Sequence, residues 1–273
     1  MRITPSIFTL TLNASLDRYI SVNSLLPDVK LRCHEDRIEA GGGGINVSRI
    51  ICKLGGLSDA VVSLRGFTGA RVEHILQSEG VRIHAHRLTN ETRENIILRD
   101  LSKGEEFKLI EEGPILGEKD LLVVLDIVSR EMKPKSFFVI SGSLPPGVSS
   151  DFFRNVTSTL RSLEPMIVVD TSGPALQNSL EQGVFLIKPN LIELESLAGR
   201  SLRSSAEQID FANSLVRSGK TKNVLLSLGG GGATLISNES IVHHPSPQVD
   251  VVSTVGAGDS LLAGTLFKVQ SGE

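Results

Sequence analysis

Apolar positions along the chain follow two rhythms. Ile7-Phe8-Thr9-Leu10-Thr11-Leu12 alternates and is rich in β-formers, whereas Ile45, Val47, Ile50, Ile51 and Leu54 recur at helical spacing. Short apolar runs without alternation follow at 61–64, 137–140, 166–169, 184–187 and 224–228, as in strands buried on both faces of a parallel sheet. Between and after them, 70–78, 118–132, 150–163, 191–197 and 206–217 read as amphipathic helices, and 258–269 reads as a last one. This repeated β-then-α order predicts an α/β fold with helices on both sides of a mainly parallel sheet.

Two regions break the rhythm. Residues 18–40 and 92–111 are strand-like but more polar, carry turn signals at Pro27-Asp28 and Lys103-Gly104, and have no helix between 95–101 and 105–110. They predict either antiparallel strands forming a small lid inserted into the main domain, or edge hairpins of the main sheet; spacing leaves both open. No linker, repeat or low-complexity tract divides the chain, so residues 1–273 read as a single domain with these insertions.

Composition narrows the functional classes. The 273 residues hold 28 Lys and Arg against 31 Asp and Glu, a net charge of −3, without the basic excess expected where nucleic acid is the main partner. No apolar stretch approaches the ~18 residues of a membrane span, and the start lacks the layout of a signal peptide. A soluble, cytoplasmic protein is expected. Cys33 and Cys52 lack metal-ligand spacing and are expected to be reduced, structural thiols.

Glycine is the informative residue: 26 are present, many clustered at 41–44, 229–232 and 256–258. Gly41-Gly42-Gly43-Gly44-Ile45-Asn46 directly precedes a helical pattern, so amides and the positive end of a helix dipole would face an anion or polyhydroxy ligand; a plain flexible loop is the alternative. In Thr254-Val255-Gly256-Ala257-Gly258-Asp259-Ser260 a carboxylate sits within a glycine turn that opens a helix. Converging amides there suit charge building on a transferred phosphoryl group, and Asp259 beside them suits a base taking a proton from an attacking hydroxyl. The alternative is that Asp259 only caps its helix. The cluster at 229–232 follows a strand and either passes beneath a nucleotide or makes a tight hairpin. Asn190 and Glu193, three residues apart after Lys188-Pro189, suit water-mediated Mg²⁺ on one helix face, or are a solvated helix start. No GxxxxGK[ST] occurs and none of the clusters completes GxGxxG, which disfavours P-loop enzymes and dinucleotide oxidoreductases.

Taken in order, Asn13-Ala14-Ser15-Leu16-Asp17, 41–46, Thr92-Arg93, Ser141-Gly142-Ser143-Leu144-Pro145-Pro146-Gly147, Lys188-Pro189-Asn190 with Glu193, Ser227-Leu228-Gly229 and Gly256-Ala257-Gly258-Asp259 resemble the ribokinase-like (PfkB) carbohydrate kinases. Lys30-Leu31-Arg32-Cys33 and the uninterrupted glycines resemble the 6-phosphofructokinase branch; tagatose-6-phosphate kinases and 1-phosphofructokinases usually show lysine where Gly43 stands. The resemblance implies a three-layer α/β/α sandwich with a small β lid, and transfer from MgATP to the 1-hydroxyl of fructose 6-phosphate. Asp259 would be the base, with the amides of Gly256, Ala257, Gly258 and Asp259 as anion hole. Asp17, Gly42, Gly43, Asn46 and Ser141 would hold the sugar, and Lys30, Arg32 and Arg93 its phosphate. Lys188, Asn190, Ser227, Gly229, Gly232 and Thr254 would line the ATP site, with Glu193 orienting Mg²⁺ through water.

A homodimer through the lid is also implied. Two departures stand out. Many members have Asp where Ser253 stands, and relatives continue past the helix at Gly258 with helices that close the adenine pocket, whereas this sequence stops at Glu273. The second departure leads to the expectation of a truncated chain or a partly open nucleotide pocket. The nearest rival is the same chemistry on tagatose 6-phosphate or fructose 1-phosphate, and the rival from another class is a non-catalytic sugar-phosphate-binding protein on the same scaffold.

Overall fold

The computed structural model describes residues 5–88, 90–149, 151–251 and 254–271; Ser150, the expected start of a helix, and Ser253 lie outside them. The chain begins with β1 (Ile7–Thr11), β2 (Ser15–Val22), β3 (His34–Gly41), α1 (Gly43–Lys53), β4 (Ser58–Leu64), α2 (Gly66–Ser78) and β5 (Arg82–Arg87). Then come β6 (Arg93–Asp100), β7 (Glu105–Leu109), α3 (Glu118–Glu131), β8 (Phe137–Ser141), α4 (Phe152–Thr159), β9 (Met166–Asp170) and α5 (Gly173–Ser179). It closes with β10 (Val184–Ile187), α6 (Leu191–Ala198), α7 (Ser205–Arg217), β11 (Thr221–Ser227), β12 (Ala233–Ser237), β13 (Ile241–His244) and α8 (Ala257–Ser271).

Nine strands form one sheet in the order β13, β12, β11, β10, β9, β8, β1, β4, β5. From β11 to β5 all pairings are parallel; β12 and β13 add antiparallel at one edge. Successive strand residues point to opposite faces, and here both faces are covered. Phe138 and Ile140 pack with α3 to α7, while Phe137 and Val139 pack with Val47 and Ile51 of α1 and Leu262 and Leu266 of α8. Ala60, Val62 and Leu64 rest on Val72 and Leu76 of α2. The result is a three-layer α/β/α sandwich. Double coverage is why the strand sequences are continuous apolar runs, and it extends to β1, whose alternation is not matched by any exposed face: Ile7 to Thr11 are all buried. Its threonines are accommodated by bonds such as that between Thr9 Oγ1 and Ser48 Oγ, 2.8 Å.

The polar regions form a second sheet of order β3, β2, β6, β7, a lid and not edge hairpins. All-antiparallel pairing is corrected at its centre: β2 and β6 run parallel, from Ser15 opposite Arg93 to Val22 opposite Asp100. Both strands leave the carboxyl ends of parallel strands of the main sheet, β1 and β5, and so set off in the same direction. Their partners β3 and β7 return toward α1 and α3 and are antiparallel to them. The helix expected over 150–163 ends at Thr159, and Arg161–Leu163 is a separate 3₁₀ turn closed by Glu164 at φ 45°. Strands β5, β12 and β13 and helix α5 were not expected from the pattern. Cys33 and Cys52 are free thiols. Among the described residues no helix is long and apolar enough to cross a membrane.

Candidate active site

Ligand sites in open α/β sheets lie outside the carboxyl ends of the strands, and here those ends gather polar groups. Ser141 closes β8 and Asp170 closes β9, paired in register; Ser141 Oγ donates to Asp170 Oδ2 at 3.3 Å. Lys188, the residue after β10, places Nζ 3.0 Å from Asp170 Oδ1, with both side chains largely buried. Two helix amino ends close on this row. At α1, a Cβ on Gly43 would fall on Ser141 Oγ, so only glycine lets this helix start approach β8. At α8, a Cβ on Gly258 would stand 3.0 Å from Lys188 Nζ, which sets the lysine against the first turn.

Asp259 sits inside that turn and is not its cap. Its carboxylate crosses to α1, where Asn46 Nδ2 donates to Oδ2 at 2.8 Å. The first helical bond of α8 runs from Ser260 N–H to Gly256 C=O, 2.8 Å, so the amides of 257–259 precede it; that of Ala257 reaches Thr254 C=O only at 3.3 Å. Amides before the first helical bond, with the positive end of the dipole, favour an anion.

The Asn46–Asp259 bond stands between two cavities that share Gly256. One, about 330 Å³, is lined by Ser141, Asp170, Lys188, Glu193, Gly258 and Asp259 among others. The other, about 220 Å³, is lined by Asp17, Asn46, Arg49, Ser260 and neighbours. A larger cavity of about 1040 Å³ opens at the opposite, amino ends of the strands, lined by Pro5, Met166 and Phe185 among others, away from the converging strand ends and helix starts. The smaller pair forms the candidate site.

Burial governs the electrostatics. It pushes the Asp259 carboxyl up to about 6; the Asn46 hydrogen bond opposes this, nearby Asp170 adds to it, and Lys188 opposes it. Burial also raises Asp170, against Lys188 and the Ser141 hydroxyl. Glu193 is raised by burial and by Asp170, opposed by the Asn190 amide and Lys188. A carboxyl near 6 is ionised at neutral pH yet basic enough to take a proton, as a general base requires.

Asn190 and Glu193 bond as the helix-start alternative has it: Asn190 Oδ1 accepts from Glu193 N–H and Glu193 Oε2 from Asn190 N–H, each 2.9 Å, a reciprocal cap on α6. Glu193 nonetheless lines the larger of the two cavities with Asp170. Two carboxylates lining one cavity fit Mg²⁺, which keeps several waters and takes few protein oxygens. Among the described residues no group of three or more His, Cys, Asp or Glu gathers to hold a metal.

The remaining expected residues are dispersed. Asp17 lines the smaller cavity with Asn46, and Gly42 is the N-cap position of α1. Arg93 lines a separate cavity of about 610 Å³ with Thr92 and Glu111. Its guanidinium donates to Glu111 C=O at 2.6 Å and Asn13 C=O at 3.0 Å, and burial depresses its pKa against the pull of Asp17 and Glu111. Lys30 and Arg32 are exposed on the connection between β2 and β3, and among the described residues neither makes an ion pair. Ser227 joins the loop after β10 through a bridge to Asn190. Gly229–Gly231 is a 3₁₀ turn and Gly232 follows at φ 90°, so the second cluster connects antiparallel β11 and β12 as a hairpin. Thr254 is exposed.

Asp170, Asn13 and Asn95 join the candidate site without an expected role. Asp170 carried a readable signal, a carboxylate ending the apolar run 166–169 where a parallel strand leaves its sheet. Asn95 carried none, being a single amide in lid sequence, whereas Asn13 opens the motif Asn13-Ala14-Ser15-Leu16-Asp17.

The model of the pfkB family carbohydrate kinases matches residues 11–273. The ATP-dependent 6-phosphofructokinase isozyme 2 of Mycobacterium tuberculosis (strain ATCC 25618 / H37Rv) is 35% identical over 268 residues, covering 98% of this chain and 79% of the relative. A 1-phosphofructokinase of Borreliella burgdorferi is 32% identical, covering 97% and 85%. The crystal structure of phosphofructokinase-2 from Escherichia coli in complex with fructose-6-phosphate superposes with a TM-score of 0.93 at 34% identity, covering 98% of this chain and 88% of that one.

Proposed function

Because the chain belongs to the pfkB family of carbohydrate kinases, we propose that it transfers the γ-phosphoryl group of ATP to the 1-hydroxyl of fructose 6-phosphate. The chain is an ATP-dependent phosphotransferase of the sugar-phosphate kinases; the acceptor and the residue roles are the proposal. The observation that carries it is Asp259: a half-buried carboxyl pushed up to about 6, held by Asn46 in the first turn of α8.

The sugar hydroxyl gives its proton to Asp259 as its oxygen bonds the γ-phosphorus, and the bond from that phosphorus to the bridging oxygen breaks toward ADP. Amides at 257–259 receive the charge that builds on the phosphoryl oxygens, with Gly256 turning the chain into the helix. Asp17, Gly42, Gly43, Asn46 and Ser141 hold the sugar; Lys30, Arg32 and Arg93 meet its phosphate, the cations suiting charge-assisted bonds. Lys188, Asn190, Ser227, Gly229, Gly232 and Thr254 serve the nucleotide. Glu193 would hold Mg²⁺ through water, and the ion would supply charge neutralisation on the ATP phosphates. We place the enzyme in the cytoplasm as a homodimer through the lid, a reading supported by exposed Ile96, Phe107, Leu109 and Ile110 on and beside β6 and β7.

The resemblance to a 1-phosphofructokinase favours a second acceptor, fructose 1-phosphate. ADP release with MgATP against fructose 6-phosphate, fructose 1-phosphate, tagatose 6-phosphate and unphosphorylated fructose decides between them. Preference for fructose 6-phosphate supports the proposal; preference for another sugar phosphate moves the chain to that branch, and release with none overturns it.

A further inference from the structure

Among the described residues, the hydrogen bonds to Asp17 fall on one carboxylate oxygen. Ser15 Oγ donates to Asp17 Oδ1 at 2.7 Å, and Asn95 Nδ2 donates to the same oxygen at 2.8 Å. The second oxygen, Oδ2, lies against Gly41, where any side chain would run into both Asp17 and Ser15. Asn95 itself is 5% exposed and stands directly opposite Asp17 in the β2–β6 register. Its Oδ1 accepts the Glu111 N–H at 3.3 Å, so one amide ties lid strand β2 to the segment after β7. Arg93, two residues earlier on the same strand, bonds Glu111 C=O and Asn13 C=O from that same face.

We infer that Asn95 is a positioning residue for the sugar: by donating to Oδ1 it fixes the Asp17 carboxylate so that Oδ2 is left for a substrate hydroxyl. The inference rests on the proposed role of Asp17. A carboxylate accepts through both oxygens, and two donors on one of them restrict its rotation. Asn95 lines neither cavity of the candidate site, so its effect falls on sugar binding and not on the chemical step.

Steady-state kinetics of Asn95→Ala and Asn95→Asp with fructose 6-phosphate and MgATP test this. Asn95→Ala should raise the sugar KM about tenfold, the scale of one lost hydrogen bond to a charged group, with kcat and the MgATP KM little changed. In Asn95→Asp two carboxylates adjoin, and the pair takes up a proton more readily than either alone. The charged groups around this spot are Arg93 on β6, Glu111 after β7, and Arg37, Glu39, Arg49 and Lys53 across the smaller cavity. The Asn95→Asp sugar KM should therefore be high at about pH 8 and recover toward wild type by about pH 6 as the shared proton restores a donor, beyond any change in the wild type. An unchanged sugar KM in Asn95→Ala, or equal losses for sugar and MgATP without recovery in Asn95→Asp, overturns the inference. Asp17→Asn separates the two claims. If Asp17→Asn raises the sugar KM and Asn95→Ala does not, only the role of Asn95 falls; if Asp17→Asn leaves the sugar KM unchanged, the reading of Asp17 falls and takes Asn95 with it.

Discussion

Asp259 and Lys30 show two ways of presenting charge in one fold. Around Asp259 the carboxyl ends of three strands and the starts of two helices converge, and the charges there are paired before any ligand arrives: Asp170 with Lys188 at 3.0 Å, Asp259 with Asn46 at 2.8 Å. Lys30 and Arg32 stand exposed on a lid connection. Burial makes the first region expensive and rigid, and it is what displaces the Asp259 pKa. The second carries no such cost and no such tuning. The proposed base and anion hole thus belong to the folded core, while the cations proposed for the sugar phosphate stand on the exposed lid connection.

Removing the base breaks this comparison most strongly. Asp259→Asn should lower turnover by about a thousandfold, within the range of general-base catalysis, with the sugar KM changed by no more than about threefold; single-turnover ADP formation reads it. Next comes the paired cation. Lys188→Met leaves Asp170 buried without its partner and should cost about 3–5 kcal/mol in denaturant unfolding, most of which the double variant Lys188→Met/Asp170→Leu should regain without regaining activity. By contrast, Lys30→Ala and Arg32→Ala should change stability by less than about 0.5 kcal/mol, as exposed substitutions do. Their effect should appear as a raised KM for phosphorylated sugar, absent with unphosphorylated fructose. The smallest effect is a gain: Asp259 binds a proton more readily folded than unfolded, so between about pH 4 and 6 wild-type stability falls as pH rises. Asp259→Asn should therefore melt a few degrees higher than wild type above about pH 6 and no higher below about pH 4. Calorimetry at the two ends of that window measures the difference.

What could be read in advance follows the same division. Runs such as 137–140 and 166–169 announced buried parallel strands because both of their faces meet helices. β13 is exposed along its whole length and β5 carries Arg82, His84, His86 and Arg87 at the sheet edge, so neither offered an apolar run to find. α5 is seven residues long and opens with Gly173-Pro174, too short for a helical period to emerge. The glycine turn with Asp259 was legible because a carboxylate beside two glycines needs explaining. Asn46 as its hydrogen-bond partner was not, since 213 positions separate them. The reciprocal cap of Asn190 and Glu193 was legible as one of two alternatives, and the parallel centre of the lid was not, because direction is set by which main-sheet strands feed it.

The central claim is that burial of its carboxyl, opposed by the Asn46 hydrogen bond, makes Asp259 the base. The pH dependence of kcat/KM for fructose 6-phosphate, measured side by side in wild type and Asn46→Ala, tests it most directly, because ionisation of the sugar phosphate is common to both. An acid limb near 6 in the wild type that moves upward when the Asn46 donor is removed is the predicted result. Coincident limbs in the two proteins, or activity that stays flat down to the ordinary carboxylate range near about 4, would contradict it.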